Sequence, residues 1–175
     1  MIFRSQRVFI MLLLVQSVVL CVIFTLLILP PLFKNPLSQI ISYPPAIRKR
    51  VESLPQYKNT LNSTKNKNVA RKIIGALIAI AALACVAFFS GKTTFLSAFT
   101  HVFVLFLVVN IYDLIILDFI IFPRSKKVII PGTEDMTEEY RNPLHHIKGA
   151  VKGLVIGTIA ALLSGSLVEI LAYFI

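Results

Sequence analysis

The side chains able to do chemistry fall into two groups. The first lies inside apolar runs: His101, Asn110, Asp113, Asp118 and Glu169. The stretch Asn110–Phe122, NIYDLIILDFIIF, is apolar enough for a bilayer yet carries two carboxylates. Ionisable groups at bilayer depth cost several kcal/mol, about 3 or more, and usually face protein or a water-filled cavity. Asp113 precedes Arg124 by eleven residues, about 16 Å along a helix and near the middle of a hydrocarbon core about 30 Å thick. Asn110 stands three residues earlier and shares its helix side. An Asn-x-x-Asp pair can hold a proton or a cation, and it can equally serve as interhelical glue. Asp118 is closer to the basic flank, within reach of Lys126, Lys127 or Lys152 as an ion-pair partner. His101 sits on a moderately polar stripe with Thr94, Ser97 and Tyr112. Depth matching pairs His101 with Glu169 if their two helices run antiparallel.

The second group lies in a polar loop: Glu134, Asp135, Glu138, Glu139, His145 and His146. Such oxygens and imidazoles suit a divalent ion in principle, but their spacing fits no ion-binding loop, and a solvated helical turn accounts for the acids. No CxxC, HExxH, nucleophile elbow or complete phosphate loop occurs. The turn SGKTT at 90–94 lacks the upstream glycine of a phosphate loop, because Val86 stands there. Cys21 and Cys85 both lie in apolar runs, away from any disulfide framework. No metal and no cofactor is expected.

The elements that must position these groups are helices. Hydrophobic residues make up 57% of the 175 and charged residues 15%, a composition outside the usual range of water-soluble domains. The apolar runs predict an all-α integral membrane protein, a single membrane domain over 1–175. Its four transmembrane helices are expected at about 8–33, 73–90, 94–122 and 149–175. The first is expected to end at Pro30-Pro31. A basic connector, 34–72, joins the first two helices, and a short irregular loop, 123–148, joins the last two. Within the connector, Ile47, Val51 and Leu54 form one apolar stripe on a short helix. That helix either lies in the headgroup layer or packs on the rest of the protein. The run NTLNSTKNKN after it reads as a flexible linker, with a glycosylation-type triplet at Asn62-Ser63-Thr64. In the later loop, Thr133 or Asp135 is expected to cap a helical turn.

Nine Lys and Arg lie in the connector and five in the 123–148 loop, against Lys92 alone in the turn between the middle helices. The positive-inside bias then puts both loops in the cytoplasm and both termini outside, in the plasma membrane. The net charge of +10 points to anionic lipid headgroups and not to nucleic acid. In the last helix Gly149, Gly153, Gly157, Ala161 and Gly165 recur every fourth residue, a small-residue ridge for close helix packing. The ridge serves either within one bundle or as a glycine zipper between copies, making a homo-oligomer or a subunit of a membrane complex. Three functions fit: a proton or cation pathway through the intramembrane polar groups, a membrane enzyme or enzyme subunit acting on a lipid headgroup or phosphate, and a scaffold subunit without catalysis. For the second, the site would combine His145, His146, Glu134 and Asp135 with the basic connector.

Overall fold

The structure, a computed structural model, describes the backbone of residues 2–175, and all side chains except those of 1–6, 8, 59, 60 and 62–72. The Asn62-Ser63-Thr64 triplet therefore lies outside the described side chains. Helix accounts for 86% of the chain, with no strand among the described residues, so the all-α expectation holds. The long helices are α1 (Ile2–Lys34), α3 (Lys58–Phe89), α4 (Phe95–Tyr112) and α7 (Pro143–Phe174). Helix α4 runs on without a break through a π-helix, Asp113–Ile121, into a short α5, Phe122–Arg124. Three segments are long and apolar enough to cross a membrane: Phe9–Lys34, Phe95–Arg124 and Thr137–Phe174. The apolar part of α3, Ile73–Phe89, is shorter.

Three boundaries differ from expectation. Helix α1 passes through Pro30 and Pro31 and ends at Lys34. Beyond the prolines it gains a buried Leu32, and the Pro31 carbonyl still receives the Asn35 N–H at 2.9 Å. The supposed linker at 59–68 belongs to α3; extending an existing helix fixes one residue per hydrogen bond, far cheaper than starting a new one. Helix α7 starts at Pro143, with Asn142 accepting the Leu144 N–H as its cap. His145 and His146 thus sit in its first turns.

At the loop end of the bundle the two connecting segments fold onto each other. Between α1 and α3 come a 3-10 turn, Pro36–Ser42, then α2, Pro45–Ser53, and a second turn, Pro55–Tyr57. Between α5 and α7 come Lys126–Val128 and α6, Thr137–Tyr140. Tyr43, Ile47 and Val51 are 0% exposed and join Val128, Ile130, Tyr140 and Leu32 in one apolar core. Helix α2 therefore packs on protein with its Ile47–Val51 stripe. The polar backbone of this cap is satisfied from inside. Tyr43 donates its hydroxyl to the Val128 carbonyl at 2.8 Å, and the Ile130 N–H donates to Tyr140 Oη at 3.0 Å. Thr133 does not cap a helix: its hydroxyl lies 2.7 Å from both the Ile130 carbonyl and Tyr140 Oη. Helix α6 has Met136 at its N-cap and no side-chain cap. Gly132 has φ +90, which lets its N–H reach the Glu134 carboxylate at 2.8 and 3.0 Å.

The glycine ridge of α7 meets α4 of the same chain. Asn110 fills the space over Gly153, Phe106 the space over Gly157, and Phe95 and Phe99 the space over Gly165, while Ala161 is fully buried. The ridge is thus occupied within one chain. Gly149 alone looks into open space. Gly157→Leu should displace Phe106 and lower stability by about 1–3 kcal/mol as an overpacked site, whereas Gly149→Leu should be close to neutral. Thermal melting of both proteins in detergent checks the pair; equal effects would place the ridge contact elsewhere.

Candidate functional site: a polar cleft at the loop end

The π-helix determines which polar groups meet. In an α-helix, residues five apart point about 140° away from each other. A π-helix bonds residue i to i+5, here the Phe122 N–H to the Leu117 carbonyl, so residues five apart swing back toward the same side of the helix. Asp113 and Asp118 are five apart, and both line one cleft. Pro123 gives a physical reason for the widening, since an interior proline clashes with the carbonyl four residues earlier in a regular helix.

The cleft has a volume of about 570 Å³ and lies between α1, the Pro36–Ser42 turn, the start of α2, the π-helix and the first turns of α7. Phe24, Ile28 and Leu32 from α1 and Ile156 from α7 make its apolar part. Arg48, Lys148 and Lys152 bring positive charge to it, beside Asp113, Asp118 and the two histidines. His146 is buried; its Nδ1 lies 3.3 Å from Asp118 Oδ1, and its Nε2 faces the Tyr140 carbonyl at 3.4 Å. Both nitrogens thus face oxygens, an arrangement that a doubly protonated ring satisfies. His145 donates Nε2–H to the Ser42 carbonyl at 2.8 Å, because a carbonyl can only accept. That leaves its Nδ1 as an acceptor. Arg48 Nε is closed off from solvent without a hydrogen-bond partner, and Asp113 has no side-chain hydrogen bond or ion pair among the described residues.

The cleft joins members of the two groups that sequence spacing held apart. Asp113, Asp118, His145 and His146 share it. Glu134 and Asp135 do not line it. The Glu134 carboxyl is turned back on its own loop, where its own N–H and that of Gly132 hold it below the usual carboxylate range. Asp135 pairs with Arg50 at 2.8 Å on the surface. Asp118 takes His146 as partner in place of Lys126, Lys127 or Lys152. Asn110 does not pair with Asp113; its amide donates to the Ala150 carbonyl at 3.1 Å, as interhelical glue. Arg48 was missed in the sequence because it stands sixty-five residues from Asp113. Only the folded connector brings it in.

The other polar cluster stands at the far end of the bundle. His101, 2% exposed, donates Nε2–H to Gln16 Oε1 at 2.9 Å, and the Gln16 amide donates to Ser90 Oγ at 2.8 Å. Glu169 is exposed on the outer face of α7 and is not a partner of His101. Thr94 and Ser97 of the expected stripe form the capping box of α4. Val102 and Leu105, both fully buried, and Phe106 over Gly157 stand between this cluster and the cleft. Among the described residues no group of three or more His, Cys, Asp or Glu could hold a metal ion.

Fold and site together define an all-helical protein with three membrane-length helices and a charged cleft at one end. No protein-family model, curated protein or solved structure matches the chain.

Asp118→Asn and His146→Gln should each lower the melting temperature, and the double variant should cost less than their sum, with a coupling of about 1 kcal/mol. In a second cycle His101→Ala should couple to Gln16→Ala and be additive with Glu169→Ala. Additivity of Asp118 with His146 would remove the pair as a structural unit of the cleft.

Proposed function

We propose that this chain is a four-span membrane protein that binds a phosphate-bearing lipid at its cytoplasmic face. The observation that carries the reading is the pairing of opposite halves in one cleft. An apolar wall from Phe24, Ile28 and Ile156 adjoins Arg48, Lys148 and Lys152, and the Arg48 Nε is buried without a partner. An amphiphile has this same division. Its phosphate accepts from the guanidinium and ammonium groups, and its chain lies along α1. His145 and Asp113 line the same cleft beside these cations. A proton or cation pathway has less support, because the apolar layer at Val102, Leu105 and Phe106 separates the polar clusters. The basic loops at the cleft end support a cytoplasmic cleft, with Ile73–Phe89 as the fourth span and both termini outside.

Two measurements test the reading. In a protein with Cys21 and Cys85 replaced by Ser, Thr93→Cys should react with an impermeant thiol reagent in intact cells. Gln56→Cys should react only once the membrane is opened. The reverse pattern would invert the orientation. For binding, phospholipid retained through purification is read by native mass spectrometry. The Arg48→Gln/Lys152→Gln protein should lose about tenfold in affinity for phosphatidylglycerol, as expected for the loss of charge-assisted hydrogen bonds. Unchanged retention would exclude the cleft as a lipid site.

A further inference from the structure

A second basic hollow lies behind the cleft. Arg124, at the end of α5, and Arg141, just after α6, both line two adjoining cavities of about 370 and 360 Å³. The first of these also reaches Asp118 and His146, so this bonded pair forms a wall common to the hollow and to the cleft. Lys126 adds a third positive charge to the other cavity.

The carboxylates that face this region are already engaged or point elsewhere. Asp118 is held by His146. Asp135 pairs with Arg50, and Glu134 bonds to the Gly132 N–H. Glu138 and Glu139 of α6 line neither cavity. Among the described residues neither Arg124 nor Arg141 has an ion pair or a side-chain hydrogen bond. Two exposed guanidiniums from separate elements thus border one space, and the carboxylate in its lining, Asp118, is held by His146. Pro123 and Pro143, also in the lining, stiffen its walls.

We propose that Arg124 and Arg141 form a separate anion site that takes a phosphate group. Two planar guanidinium forks match phosphate oxygens in a bidentate manner, a geometry that lysine does not supply. The phosphate belongs either to a lipid headgroup reaching in from the membrane or to a soluble phosphate compound. The site does not depend on the cleft being a lipid site, because none of Arg48, Lys148 and Lys152 lines it.

The test uses the full chain in nanodiscs of phosphatidylcholine. In one arm inorganic phosphate is titrated calorimetrically. In the other, phosphatidylglycerol is added to the disc and its retention measured by native mass spectrometry. Three variants are compared with wild type: R124Q/R141Q, R124K/R141K, and K49Q/K58Q as a charge-matched control that lines neither the cleft nor the hollow. The R124Q/R141Q protein should bind whichever ligand the wild type takes about tenfold more weakly. The R124K/R141K protein, which keeps the charge, should also weaken, and it decides the matter if the glutamine pair fails to fold. The K49Q/K58Q protein should stay within about twofold of wild type in the phosphate arm. Loss in the first arm alone identifies a soluble phosphate, and loss in the second alone a lipid headgroup. The proposal falls if the wild type binds neither ligand. It also falls if R124K/R141K binds as wild type, or if K49Q/K58Q weakens binding as much as R124Q/R141Q, since diffuse surface charge would then suffice.

Discussion

In hydrocarbon, two helices gain little by hiding apolar surface from one another, because lipid tails serve as well. What holds α4 against α7 is close van der Waals contact, with one side-chain hydrogen bond from Asn110 to the Ala150 carbonyl. The contact requires small residues on α7 at each crossing of the α4 side chains. Gly153 leaves room for the Asn110 amide, Gly157 for the Phe106 ring and Gly165 for Phe95 and Phe99. This register fixes the rotation of α4 about its own axis. Once that rotation is set, the continuation of the same helix has no freedom to choose what Asp113 and Asp118 face. The cleft at the loop end follows from the ridge.

The ridge was legible because a four-residue period survives in any helix that stays α-helical. The grouping of the acids was not legible, because it depends on a departure from that geometry. Sequence spacing placed Asn110 with Asp113 and kept Asp118 apart, as 3.6 residues per turn demands. The π-helix reverses this by putting Asp113 and Asp118 on one wall and leaving Asn110 to α7. Pro123 was the visible hint, since a proline straight after a long apolar run asks the preceding turn to adjust. The pairing of His101 with Glu169 failed for a different reason. Depth along the membrane can be counted from sequence, but the direction in which a side chain leaves its helix depends on the packing of all the helices. Gln16 on α1 occupies the place that depth counting gave to Glu169.

The cap shows where water-soluble rules apply again. The stripe Ile47–Val51 was readable as apolar at helical spacing, and two destinations fitted it. The deciding information lies about eighty residues away, in Val128, Ile130 and Tyr140, which close over it. The residues from Ile130 to Tyr140 look like a functional motif because they combine glycine, threonine, acids and tyrosine. Their interactions are structural: Thr133 and Tyr140 satisfy the backbone of Ile130, Glu134 satisfies Gly132, and Asp135 and the Pro131 carbonyl bond to Arg50 and Tyr57 of the connector. Their chemistry goes into holding the connector in place. That placement in turn brings Arg48 to the cleft.

Charge pairing at the loop end separates structural groups from free ones. Asp135 takes Arg50 and Asp118 takes His146. Asp113 remains, together with Arg48, Lys148 and Lys152 in the cleft and Arg124 and Arg141 behind it. Positive charge therefore exceeds negative on both sides of the Asp118–His146 pair. Like charges gathered in one region repel one another, though exposure of most of them to solvent weakens the effect. At the opposite end His101, Gln16 and Ser90 bond to one another in series, and nearly all their donors are engaged. That end still leaves His101 Nδ1 buried without a partner, but it carries fewer charges than the loop end, where several positive groups lack a matching negative one. The anionic groups proposed above for the cleft and the hollow would supply the missing negative charge.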